Sequence, residues 1–147
     1  MSFFKNILGG GGSPTSLNKQ EGFCGMLLAI IAADGQITNE EVADFWSAVQ
    51  KANILESLNQ NQFKSMMDKL IRILRKQGVD ELMRLSAEGI PPELYKPTFV
   101  NALDLVFSDG HVDPDEVKVM DKMKVMFEID DQFAAMAGEV IKIKGSV

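Results

Sequence analysis

From about Asn18 onward, apolar residues recur every three to four positions, the period of a helix buried along one face. Phe23, Met26, Leu27, Ile30 and Ile31 predict a first helix, and Val42, Phe45, Trp46 and Val49 a second. Phe63, Met66, Met67, Leu70, Ile71 and Leu74 form the clearest stripe in the chain. It is ended by Gly78, which closes a helix without a Cβ penalty. A shorter helix is expected over Val79 to Ala87, before Gly89 and the pair Pro91-Pro92. Proline fits the first helical turn, so the next helix should begin near that pair, with Pro97 bending it or delaying its regular start. Phe99, Leu103 and Val106 carry this helix to Ser108. Val117, Met120, Met123 and Phe127 predict a sixth helix, and Phe133, Met136, Ala137, Val140 and Ile141 a seventh. No segment alternates like a strand. The pattern predicts an all-α, single-domain bundle of about seven helices, with the methionine and phenylalanine stripes as its core.

Composition agrees with one domain. The chain has 147 residues, of which 46% are hydrophobic, enough to bury a real core. Glycine and proline cluster in Gly9-Gly10-Gly11-Gly12-Ser13-Pro14, a flexible linker by composition. Before it lies a small apolar patch, Phe3, Phe4, Ile7 and Leu8, too short for a stable helix in water. No Lys-Ser/Thr pair follows the glycines, which excludes a phosphate loop. The net charge of −6 argues against nucleic acid as partner. A single cysteine, Cys24 in an apolar stretch, excludes a disulfide framework and reads as a core residue of a reduced compartment. With no apolar run of bilayer length and no signal-peptide pattern in Met1 to Leu8, the expected location is cytoplasmic.

One motif occurs twice. Asp34-Gly35-Gln36-Ile37-Thr38-Asn39-Glu40-Glu41 and Asp109-Gly110-His111-Val112-Asp113-Pro114-Asp115-Glu116 are offset by 75 residues. The same offset relates Leu28 to Leu103 and Ile54 to Ile129, which reads as an internal helix–turn–helix duplication. Much of each copy has a mechanical account. Gly35 and Gly110 suit a left-handed helix end, and Thr38 and Asp113 are good N-caps. Glu41 and Glu116, three residues on, support capping boxes, and Pro114 sits at a first helical position. Asp34 and Asp109 fit this account less well, because a helix C-terminus disfavours negative charge by ~0.3–1 kcal/mol. Each also has another carboxylate seven residues on. Clustered carboxylates call for a cation, and oxygen-only ligands suit Ca²⁺, Mg²⁺ or Mn²⁺. The candidate metal ligands are therefore Asp34, Glu41, Asp109 and Glu116. Purely structural corners are the competing account.

Asp-Gly-x-Ile/Val with a later Glu is also the second half of an EF-hand loop. The positions that would lead such a loop are Ile30 and Ala32, or Leu105 and Phe107. None can ligate calcium, so at most a degenerate EF-hand-like calcium sensor remains as an alternative.

The two acidic corners, Ala32-Ala33-Asp34-Gly35-Gln36-Ile37 with Glu40-Glu41 and Phe107-Ser108-Asp109-Gly110-His111-Val112 with Asp115-Glu116, resemble the TerB-like (tellurite resistance protein TerB) family. With the surrounding helices the resemblance covers roughly Asn18 to Lys144, and it implies a Gly-rich tail over residues 1–17 and a TerB-like domain over 18–147. It further implies a non-enzymatic module of tellurite resistance and bacterial stress response, acting through protein partners at the inner face of the membrane. The family's proposed metal-binding acids fall on Asp34, Glu41, Asp109 and Glu116.

No enzyme class gains support from the residues. Cys24 and His111 are too few for a zinc site, and no serine elbow or redox cysteine pair is present. Two expectations follow: a divalent-cation-responsive module, and a metal-independent protein-interaction scaffold in which Phe3, Phe4, Ile7 and Leu8 form a second contact. Weak membrane-surface association through that tail is a third, poorly served by its single cation, Lys5.

Overall fold

A computed structural model describes residues 15–108 and 110–147. The Phe3, Phe4, Ile7 and Leu8 patch, the glycine run and Asp109 lie outside the described residues. Among the described residues there are seven α-helices, two 3₁₀ turns and no strand. The helices are α1 (Lys19–Ile31), α2 (Asn39–Val49), α3 (Gln60–Gln77), α4 (Val79–Gly89), α5 (Tyr95–Phe107), α6 (Pro114–Met126) and α7 (Asp131–Lys144). The 3₁₀ turns, Asn53–Leu55 and Pro92–Leu94, precede α3 and α5.

Helix starts follow local chemistry. Asn18, Thr38 and Asn59 each accept a hydrogen bond from the backbone N–H three residues on, and the side chains of Glu21, Glu41 and Gln62 accept one from the cap's own N–H. These capping boxes satisfy donors that a helix start leaves orphaned. The proline pair before α5 begins the 3₁₀ turn, and regular helix starts at Tyr95. Pro97 thus falls in the first turn, where its missing N–H removes no helical bond.

α1 departs from the one-sided stripe expected of it. Every residue from Gly22 to Ile30 is buried, glycines, cysteine and alanine included. A helix apolar all round belongs inside, and α1 is packed by α3, α4, α5 and α6. Its contact with α4 depends on absent side chains. A Cβ at Gly22 would lie 2.7 Å from the Ser86 carbonyl oxygen, and one at Gly25 only 2.2 Å from Ser86 Oγ. Leu17, just before the N-cap, is itself buried.

The later stripes need correction. In α6 Val119 is buried with Met120 and Met123, while Val117 is 44% exposed. In α7 only Ala137 and Ile141 are buried, and Met136 and Val140 are each 58% exposed. The periodicity there is genuine, but α7 packs mainly on α5, so one flank of its apolar surface has no partner among the described residues. No described helix is long and apolar enough to cross a membrane.

Candidate functional site

Both acidic corners open onto one cleft. α1 ends at Ala32, and Gly35, at φ +89°, donates its N–H to the Ala32 carbonyl at 2.7 Å. α5 ends at Ser108, and Gly110, at φ +78°, donates to the Phe107 carbonyl at 3.3 Å. The next helix then begins alike in each corner. The Thr38 N–H donates to Glu41 Oε1 at 3.0 Å, and the Asp113 N–H to Glu116 Oε1 at 2.9 Å. Glycine, N-cap and acid keep the 75-residue offset in space as in sequence.

The cleft between the corners has a volume of about 400 Å³. Six carboxylates line it: Asp34, Glu41 and Asp44 from one corner, Asp113, Asp115 and Glu116 from the other. Its apolar floor includes Ile30, Phe45 and Leu105. Asp34 and Asp44 are exposed, whereas Glu41 and Glu116 are half-buried by their helices. Among the described residues no lysine or arginine lines the cleft, so those lining it set up a negative field.

Of the expected ligands, Asp34, Glu41 and Glu116 are brought to this shared cleft. Asp109 lies outside the described residues, although its neighbour Ser108 is on the cleft wall. The electrostatic misfit of Asp34 at a helix end is partly answered, since its Oδ1 accepts the Gln36 N–H at 3.0 Å. Three cleft carboxylates, Asp44, Asp113 and Asp115, were absent from the expected ligand set. Asp44 was legible in principle, because it follows Glu41 by three residues and so shares its helix face.

The donor set does not yet make an ion cage. Among the described residues, no three His, Cys, Asp or Glu side chains stand close enough together to hold a metal ion. A bare Ca²⁺ needs six to eight oxygens at about 2.3–2.6 Å, so the described carboxylates alone would face a cation across water. An EF-hand loop is no better provided for. Ile30 and Ala32 are buried, and Leu105 and Phe107 are half-buried apolar residues.

Cys24, fully buried, is held as a thiol, its pKa pushed by burial from 9.0 to about 12. It takes no part in the cleft.

No curated protein and no solved structure matches the chain. A family profile does: that described as tellurite resistance protein TerB matches residues 20–139. The match runs from the start of α1 into α7 and takes in both corners, which is most of the 147 residues. This chain belongs to the TerB family.

Proposed function

We propose that the protein is a non-enzymatic TerB-type module whose shared acidic cleft takes up a divalent cation, Ca²⁺, Mg²⁺ or Mn²⁺, in tellurite resistance or a related stress response. One observation carries the reading: six carboxylates from two corners far apart in sequence line one cleft, and no lysine or arginine among the described residues lines it with them. A family composed of such domains, generally without catalytic activity, supports the non-enzymatic part. The similar corners further support an origin by duplication of one helix–turn–helix unit.

The spacing of the carboxylates favours a cation that keeps part of its water shell, as Mg²⁺ commonly does, or one around which the corners close. Asp34, Glu41 and Glu116, with Asp109, would hold it. It would supply positive charge that offsets repulsion between the two corners.

The same wide spacing favours a second reading, a metal-independent scaffold in which a lysine or arginine of a protein partner occupies the cleft.

Thermal unfolding of metal-stripped protein decides between them. A cation present at 100 times its Kd should add about 2.7 kcal/mol, a rise in Tm of several degrees. The Asp34→Asn/Asp109→Asn double variant should lose that rise while keeping its fold, since asparagine can still accept the Gln36 N–H. Unchanged melting of the wild type with all three cations would sink the metal reading and leave the scaffold.

A further inference from the structure

The opposite side of the first corner carries the reverse charge. Ile37 and Val42, from the corner and α2, meet Ile71 of α3 around a second pocket of about 340 Å³. Arg72, Arg75 and Lys76 line its edge. Their spacing of three and four residues puts them along one face of α3. Asp68, one turn earlier, also lines the pocket and ends the cationic row.

Helix stability explains only part of this. Arg75 and Lys76 lie in the last turn of α3, where cations offset the macrodipole, but that effect fades beyond one turn and does not reach Arg72. Acids outnumber bases in the chain by 21 to 15, yet among the described residues none of these three cations forms an ion pair. Arg84, the only other arginine, is held by both Glu81 and Glu88. Ile37, Val42 and Ile71 are only partly buried, so the pocket offers apolar surface between and beneath the cations.

We propose that this pocket docks a short acidic, amphipathic segment of a partner protein. Its aspartate or glutamate side chains pair with Arg72, Arg75 and Lys76, and an apolar side chain enters between Ile37, Val42 and Ile71. Arginine suits this role because its planar fork takes a carboxylate through two parallel hydrogen bonds. A segment fits better than an extended anionic surface. The chain carries −6 overall, and the acidic cleft flanks the same corner, so a membrane or nucleic-acid backbone would meet repulsion around a small cationic area. The proposal is independent of what occupies the cleft.

Trp46, the only tryptophan, lies one turn beyond Val42 and packs on Phe63 with ring centroids 4.1 Å apart, which makes it a local reporter. The full chain, in metal-free buffer, is titrated with a synthetic amphipathic peptide bearing glutamate at three- and four-residue spacing around leucines. Trp46 fluorescence and backbone amide NMR shifts are followed. The same titration is run with a peptide carrying glutamine for every glutamate, with inorganic phosphate, and with phosphatidylserine vesicles. The glutamate peptide should bind at least ten times more tightly than the glutamine peptide, with shifts centred on Ile37, Val42 and residues 71–76. Arg72→Gln/Arg75→Gln should weaken it at least tenfold with an unchanged circular dichroism spectrum. Equal binding of the two peptides, no binding by either, shifts centred on α7, or binding only to phosphate or vesicles would each overturn the proposal. Should the double variant misfold, Lys76→Gln alone must weaken the glutamate peptide at least twofold, and an unchanged affinity overturns the proposal equally.

Discussion

Cys24 shows how burial alone can fix the chemistry of one residue. Water is absent around it, so the thiolate is penalised and the thiol persists to about pH 12. Its folded pKa exceeds its unfolded one. The associated stability is therefore complete below pH 9 and is lost as pH climbs from there toward 12. The slope should approach ~1.4 kcal/mol per pH unit within that window. Denaturant titrations at pH 8, 9.5 and 10.5 should show a shallower loss for Cys24→Ala than for wild type, and identical slopes would refute the assignment. Glu128 presents the other residue-scale exception. It holds φ +53° at the end of α6, where the Ile129 N–H closes back on the Lys124 carbonyl at 3.0 Å. That closure is usually given to glycine, and nothing in the local sequence marks a glutamate for it.

At the scale of elements, the contact between α1 and α4 is the most exacting. Gly22 faces a backbone carbonyl that cannot rotate away, so Gly22→Ala must push the helices apart. The expected cost is about 1–3 kcal/mol, typical of an overpacked core. An added Cβ at Gly138 in α7 would meet no other described residue's heavy atom within 4 Å beyond its own helix backbone, so Gly138→Ala should instead stabilise by about 0.5–1 kcal/mol. Melting the two variants side by side tests the packing, and equal Tm values would contradict it. Helix existence was legible because periodicity, caps and glycine stops agree over α1 to α5. Which faces are buried was less so. Apolar period reports that a helix has a greasy stripe, whereas the number of its neighbours decides whether burial extends all round, as in α1, or covers only half the stripe, as in α7.

For the whole molecule, the informative distance is one that sequence does not contain. The repeat singles out Asp34, Glu41 and Glu116, but they line one cleft with Asp44, Asp113 and Asp115 only because α2 and α6 face each other across it. The same geometry makes a shared cleft distinguishable from two separate corners. If one cation serves both, Asp34→Asn and Glu116→Gln should not act additively on the cation-induced rise in Tm. The double variant should lose little more than the stronger single one, whereas strict additivity would indicate separate sites. The cationic pocket beside the first corner went unread for a related reason. Arg72, Arg75 and Lys76 end a long polar-faced helix, and only tertiary packing shows that apolar residues of the corner stand opposite them.

The interior position of α1 bears on how the chain could be cut. Residues 15–90 would take with them the helix that α5 and α6 need as their floor, and residues 91–147 would be left with the apolar faces of Phe99, Ala102 and Val106 exposed to water. Neither fragment has a closed interior of its own. A break in the link between α4 and α5 therefore divides the polypeptide without dividing the domain, and the two pieces would be lock and key for one another.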